Sequence, residues 1–472
     1  MKNKIEQPFA LAIFGASGEL AKLKLFPAIY ALAQQKRLPK EFYIVGYARS
    51  TMTQDQFKKE FEKSITENIE GQKDRKIINS LVNRLYYFQG QYDKISDFKK
   101  FRAYLNSITK KPTITKLAYF SVPPVAFKDI LKNLGETKPS DKEDIRLIIE
   151  KPFGEDQKSA NDLFHFVARY FDDDNVYLLD HYLGKSPVQS ILNLRHANRF
   201  LNLMMKGPEV ANIQITAFED TGVENRLSYF AKVGTIKDMI QSHLFQMLSL
   251  ITMSIPITEN TESIHREKYS ILSALRFNRS PKNIALGQYA SYKKETDEDT
   301  PKDRETFAAL RLFIDRESWY KVPIYIRTGK KLHEKHTYAV IELKKFGFQT
   351  RDEEPNRLII EIFPEAKIDF RLINKNAFSK KPQVVTVSDS LTCKTEDCLP
   401  EHSLLLIDAV NKNHFNFLSF PEIIATWKIT DEILEFIKRA EIKPEIYKDK
   451  SKGPKFQDKI TEIDNFKWFD VH

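Results

Sequence analysis

Residues 10–21 read ALAIFGASGELA, and this stretch decides the fold class. The run Ala10 to Phe14 has the length and apolar character of a buried strand, Gly15 and Gly18 follow it, and apolar residues then recur at helical spacing from Leu20 to Ala33. A strand that passes through a glycine turn into a helix is the context a dinucleotide-binding fingerprint requires. Gly15 permits the tight turn, Gly18 lets backbone approach a pyrophosphate, and small Ala21 allows close packing of helix on sheet. Free N–H groups where Ser17, Glu19 and Leu20 open the helix favour a phosphate charge. The alternative for the same residues is a strand-to-helix turn that binds nothing.

Outward from this stretch the pattern repeats. Phe42 to Gly46, Leu117 to Val122, Leu147 to Glu150 and Val176 to Asp180 read as short buried strands, and Phe57 to Ile69 and Phe127 to Leu134 as helices between them. Strands alternating with helices predict an α/β, Rossmann-type N-terminal domain over residues 1–182. After Lys185 the texture changes. An amphipathic stretch from Val188 to Met205 precedes a strand over Asn212 to Glu219 and a helix from about Ile236 to Met253. Phe307 to Ile314, Pro323 to Arg327, Tyr338 to Leu343, Leu358 to Ile362 and Val384 to Val387 then read mostly as strands separated by polar turns. Residues 183–472 are therefore expected to form a larger α+β domain on a mainly antiparallel sheet. The Lys-rich tail after Lys448 is expected to be surface loop.

Composition narrows the function classes. The 472 residues carry 74 Lys and Arg against 64 Asp and Glu, a net +10, but the charges are interspersed, with no block that reads as a nucleic-acid arm. Small anionic ligands suit this basicity at least as well, and no nucleic-acid partner is expected. No stretch approaches the ~18 apolar residues of a membrane span, and the run Phe9 to Phe14 is too short for a signal-peptide core. Cys393 and Cys398 match no common metal motif and are expected to be structural thiols in a reducing cytoplasm; no metal is expected.

The candidate chemistry lies where strands end. The second strand, FYIVGYARS, offers no acidic residue for a ribose diol and leads instead to Arg49, a suitable partner for a 2′-phosphate, with Ser17 as a possible further donor. NADP is favoured over NAD on this ground, although Arg49 also reads as an ordinary surface arginine. Ligands of open α/β sheets bind beyond the carboxyl ends of strands, which puts Asp180, His181, Tyr182 and Lys185 of DHYLGK beside the coenzyme. If the chain is helical there, His181 and Lys185 share a face that can offer donors to a phosphate. A plain helix start with Asp180 as cap fits as well. Lys151, held before Pro152 in IIEKPFG, stands at the same edge. His243 falls on the apolar face of its helix with Ile236, Met239, Ile240 and Met247, which reads as a core histidine. A carboxylate such as Asp180 would make it a base, since it would orient the imidazole and stabilise its charged form. Asp238 is about one turn away. Glu219, Lys330 and Lys335 are not singled out by pattern.

The segments FGASGELAKLKLFPAIYAL, EKPFG, DHYLGK, VGTIKDMIQSHLFQ, ETFAALRLFID and VPIYIRTGKKL, in this order, resemble the glucose-6-phosphate dehydrogenase family. The likeness runs from about residue 9 to 345 and continues more weakly through PNRLIIEIFP and HSLLLIDAV. It implies NADP-dependent oxidation of β-D-glucose 6-phosphate at C1 to the 6-phospho-lactone, the entry step of the oxidative pentose phosphate pathway. It also implies a homodimer or homotetramer, with residues 183–472 binding substrate and forming the oligomer. By the resemblance His243 is the general base and Asp180 the carboxylate paired with it; His181, Tyr182, Lys185 and Lys335 bind the substrate phosphate. Lys24, Lys151, Glu219, Asp238 and Lys330 contact the sugar or order substrate and coenzyme, with Lys151 touching both. Gly15, Ser17, Gly18, Glu19, Leu20, Arg49 and Pro123, the last in the SVPP run, bind the coenzyme.

The chain also departs from the pattern. Leu23 replaces a common basic residue, Ser186 a usual Glu, Leu227 and Ser228 a usual Gly-Gly, Met205 and Lys206 a usual Trp-Asn, and Lys335 stands where many members carry Arg. Glu361 stands where vertebrate-type members have an Arg of a second, structural NADP site, so no such site is expected. A rival from another class is a catalytically silent sensor of NADP and sugar phosphate on the same fold; retention of His243 with Asp180 favours the enzyme.

Overall fold

The computed structural model describes residues 4–109, 114–138, 144–258, 260–296, 301, 303–347, 353–374, 382–392 and 398–471. Two compact units emerge: residues 1–154, 158–185 and 393–420 form the first, and residues 155–157, 186–392 and 421–472 the second.

The first unit is built on β1 (Phe9–Phe14), β2 (Phe42–Ala48), β3 (Leu85–Gln89), β4 (Thr115–Phe120), β5 (Ile145–Glu150) and β6 (Val176–Leu179). All pairings are parallel and the order is β3-β2-β1-β4-β5-β6. This is the doubly wound order of dinucleotide-binding domains, with the reversal between β1 and β4. Every residue of β1 and β4 is buried, as expected of central strands covered on both faces. Strand β3 is absent from the sequence reading; it lies at the sheet edge, and its run LYYFQ ends half-exposed, so it lacks the continuous apolar signal of its neighbours.

The expected boundary at 182/183 leaves out a segment that returns to this unit. Residues 393–420 belong to it because Leu405, Leu406, Ile407, Ala409, Val410 and Phe417 complete the apolar core around Phe26, Ile29 and Tyr30. Arg146 on β5, 2% exposed, grips the same segment by donating to the carbonyls of Ala409 (2.9 Å) and Val410. Its other prongs are bidentate on Asp144. Burial alone would raise that carboxyl, but Arg146, Lys412 and Thr115 outweigh it and hold it below the ordinary range.

The second unit carries a ten-stranded sheet, mostly antiparallel. At its centre Val210–Phe218 pairs in parallel with Ile324–Gly329 and antiparallel with His336–Leu343. The amphipathic stretch after Lys185 forms two helices, Ser186–Ala197 and Arg199–Met204. The tail is not surface loop. Ile460 is buried in the apolar cluster around Tyr325 and Phe307, and the Trp468 indole donates to the Gln457 carbonyl at 3.0 Å. Arg327 in turn reaches Asp470 at 2.7 Å. Cys398 is held in a disulfide, which corrects the expectation of two free thiols; Cys393 lies outside the described residues. No helix among the described residues is long and apolar enough to cross a membrane.

Within this unit helix Thr261–Leu272 is tied to helix Phe420–Arg439 by a fully buried Glu422, which meets Lys268 at 2.8 Å and His265 at 2.5 Å. Burial raises the Glu422 carboxyl, but Lys268 and then His265 outweigh it and hold it at about 2. A depressed carboxylate contributes stability that is present above its unfolded value and lost as pH falls through the folded one. The second unit should therefore lose about 3 kcal/mol between roughly pH 4.5 and 2 from this group. Glu422→Gln should flatten that part of the acid-denaturation profile while destabilising the unit at pH 7; an unchanged acid limb would refute the assignment.

Candidate active site

Register places the first set of site residues. Phe14 stands beside Tyr47 and Phe120, Phe120 beside Ile149, and Glu150 beside Leu179. The residues just beyond these strands, Gly15, Arg49, Ser121, Lys151 and Asp180, therefore line one carboxyl edge. Gly15 has φ +84°, and a Cβ there would lie 2.1 Å from the Ser121 carbonyl oxygen. Its N–H donates to the Tyr47 carbonyl at 2.8 Å, so the turn is tied to the ends of both neighbouring strands. At Gly18 a Cβ would meet only the Gly15 oxygen at 3.1 Å and the Ser121 oxygen at 3.8 Å. Protein packing forbids a side chain at position 15, whereas at Gly18 a Cβ would press on the Gly15 oxygen alone, which would have to give by a few tenths of an ångström. The helix begins at Glu19, and buried Ala21 opens its π-helical turn Ala21–Leu25, which presents Lys24 to solvent before Phe26–Gln34.

Arg49 is exposed just past β2, with its guanidinium 5.4 Å from the centre of the Tyr92 ring. Ser17 and Ser50 hydroxyls meet at 3.1 Å beside it. Pro123 is exposed past β4, and the half-buried Lys151 past β5. These groups could hold a nicotinamide dinucleotide: a glycine turn, a helix start, and a guanidinium with two hydroxyls beyond β2. Sequence reading missed Tyr92, because nothing in the linear pattern brings it to Arg49.

After β6 the segment DHYLGK is a turn, not the helix that would put His181 and Lys185 on one face; helix Ser186–Ala197 starts only beyond it. Asp180 is buried and accepts the Tyr182 N–H at 2.9 Å, while its carbonyl accepts from Leu183 at 3.0 Å. The turn brings the Lys185 ammonium to 3.6 Å from the centre of the Tyr182 ring, and the His181 ring meets the same ring edge-on. Imidazole, phenol and ammonium thus gather through a turn.

The second unit assembles another group. Glu219 follows Val210–Phe218 and Lys330 follows Ile324–Gly329, two parallel strands whose ends are in register. The Lys330 ammonium, 8% exposed, reaches Glu219 at 2.5 Å and Asp238 at 3.7 Å. Arg226, also missed, lies 3.7 Å from the other Asp238 oxygen. An ammonium this deep is tolerable only with such partners. Lys335 is exposed at the start of the adjacent strand, its ammonium over Phe363. Asp238 and His243 lie on Ile236–Leu244, which is π-helical and not the α-helix that the apolar spacing suggested. Backbone bonds five residues apart stack positions 238 and 243, so Asp238 and His243, 5% and 2% exposed, share one helical face.

A parallel sheet with a glycine turn at its switch point and a second domain rich in acid, base and ammonium groups defines a nicotinamide-dinucleotide-dependent oxidoreductase. Residues 12–190 match the family model of the glucose-6-phosphate dehydrogenase NAD binding domain, and residues 192–469 that of its C-terminal domain. The chain belongs to the glucose-6-phosphate dehydrogenase family. It is 32% identical over 463 residues to glucose-6-phosphate 1-dehydrogenase of Schizosaccharomyces pombe, covering 95% of this chain and 92% of that one. The Bacillus subtilis enzyme of the same name is 32% identical over 494 residues, with all of both chains covered. A solved glucose-6-phosphate dehydrogenase in complex with its substrate glucose-6-phosphate superimposes with a TM-score of 0.91, at 28% identity and full coverage of both chains.

The two glycines should separate on substitution. Gly15→Ala should destabilise the protein by about 1–3 kcal/mol through backbone strain and the Ser121 clash. Gly18→Ala, whose Cβ would press the Gly15 oxygen at 3.1 Å with no positive φ to strain, should cost less stability than Gly15→Ala and weaken coenzyme binding in a fluorescence titration. Equal loss of stability in both variants would contradict this division of roles.

Proposed function

We propose that this enzyme oxidises β-D-glucose 6-phosphate at C1 to 6-phospho-D-glucono-1,5-lactone with NADP as the acceptor. The bound nicotinamide supplies a hydride acceptor. His243 takes the C1 hydroxyl proton as the hydride leaves, and Asp180 orients the imidazole and stabilises its charged form. His181, Tyr182, Lys185 and Lys335 hold the phosphate, where charge-assisted bonds act in ground and transition states alike. Glu219, Asp238 and Lys330 position the sugar hydroxyls; Lys24 and Lys151 help to order sugar and coenzyme. Arg49, with Ser17, selects NADP by pairing with its 2′-phosphate. Residues 1–182 would carry the coenzyme and residues 183–472 the substrate and the contacts of a homo-oligomer.

The observation that carries this reading over a silent sensor is His243 itself: a buried imidazole stacked one turn from Asp238, whose carboxylate pairs with Lys330. Binding alone does not require a buried base there. Initial rates of NADPH formation on adding glucose 6-phosphate test the reaction directly.

His243→Asn should lower turnover at least ~10²-fold and leave substrate KM within a few-fold. In the unsubstituted enzyme the rate should fall on acidification, since protonated imidazole accepts no proton; a profile flat from about pH 5 to 8 would remove His243 from the mechanism.

Arg49→Ala should raise the NADP KM by about ten- to a hundred-fold, the worth of a charge-assisted bond of roughly 1.5–3 kcal/mol. NAD lacks the phosphate and should respond little. Equal losses with both coenzymes would make Arg49 a structural residue.

A further inference from the structure

The segment ETFAALRLFID begins with Glu305, an acidic residue ahead of an apolar strand and outside the groups that hold substrate or coenzyme. Glu305 is 7% exposed and stands two residues before the strand Phe307–Ile314. Its carboxylate accepts the Ile236 N–H at 3.4 Å and its carbonyl the Thr235 N–H at 3.3 Å, at the start of the π-helical segment that bears Asp238 and His243. The chain enters that segment through Gly234, at φ +70°, where a Cβ would lie 2.1 Å from Glu305 Oε1. Only glycine admits the carboxyl. Arg304 lies 3.7 Å from the carboxylate and is anchored on the Ala231 carbonyl at 2.8 Å. The next residue, Thr306, accepts the Lys330 N–H at 2.9 Å. Residues 304–306 therefore hold both the start of the helix that carries Asp238 and His243 and the backbone of Lys330.

We propose that Glu305 is a positioning residue, which caps the helix start over Gly234 and thereby sets the register of Asp238 and His243 against Lys330. Its kinetic consequence rests on the proposed dehydrogenase reaction, and its structural consequence on the helix cap alone. Burial pushes the Glu305 carboxyl up, with Arg304 and the N–H groups of Glu305 and Ile236 only partly opposing, so an uncharged amide in its place keeps the acceptor at lower desolvation cost.

The test uses the full chain with Glu305→Ala, Glu305→Asp and Glu305→Gln. In Ala the acceptor is gone, and in Asp it is one methylene short of Ile236. Both should lower kcat at least ~10-fold with NADP KM unchanged, and raise the primary isotope effect with 1-deuterated glucose 6-phosphate, because misplacement slows the chemical step. Glu305→Gln should stay within a few-fold of the unsubstituted enzyme. Amide exchange at residues 236–243 should quicken in the Ala and Asp variants and not in Gln. An unchanged isotope effect with lower activity, meaning fewer folded molecules, would overturn the proposal, as would exchange unchanged in Asp. Quickened exchange in Asp, combined with normal turnover in His243→Asn, would overturn the functional reading and leave the cap standing.

Discussion

Gly15 and the Ser121 carbonyl share a space that no side chain can enter. This contact sits where β1 meets β4, at the point where strand order reverses, and it lets the chain leave β1 and turn at once into a helix. Because all the strands are parallel and nearly in register, the loops beyond them emerge along the same edge. Arg49, Lys151 and Asp180 come from positions far apart in the chain, yet each is the residue next after a strand. The gathering of these candidate residues is thus a consequence of register, and the packing constraint at Gly15 keeps the central turn compact.

In the second unit the governing interaction is electrostatic. Lys330 is buried, and an ammonium taken out of water without partners would cost several kcal/mol. Glu219 and Asp238 supply those partners from a neighbouring strand end and from a helix. The cluster thereby ties a helical residue to the sheet edge, and the π-helical winding carries His243 along with Asp238 on the same face. An ordinary α-helix would stack residues three and four apart, and positions 238 and 243 would diverge around the axis.

Fold class was legible because it depends on local signals: apolar runs, glycine turns and the alternation of strand with helix. Gly15 and Gly18 mark the strand-to-helix turn at the switch point, and the end of β2 leads to Arg49. The residues proposed to hold the substrate are picked out mainly by family likeness. An acidic residue closing an apolar strand, such as Glu219, or a lysine in a polar turn, such as Lys330, looks solvated until the sheet pairs their strands. Tyr92, Arg226 and the return of residues 393–420 left no periodic trace, since each is defined by contacts distant in sequence. The π-helix was hidden for another reason. Its apolar positions satisfy an α-helical stripe well enough that the pattern cannot reveal the extra residue per turn.

The returning segment bears on how the first unit is specified. Residues up to 185 contain all six strands of its sheet, but not its full core. Leu405 and Leu406 join the core that holds Phe26 and Tyr30, Phe417 packs edge-on against Tyr177 of β6, the Ser403 hydroxyl donates to the Ala28 carbonyl at 2.9 Å, and Arg146 finds two of its acceptors only on Ala409 and Val410. A guanidinium with 2% exposure and half its acceptors missing is among the more expensive defects a core can hold. The coenzyme-binding unit is therefore completed only after the chain has traversed residues 186–392, which carry most of the second sheet. Its helix 26–34, which continues the helical turns begun at Glu19 after the glycine turn, packs on that late segment, so the setting of the glycine turn depends on residues more than 350 positions later in the chain.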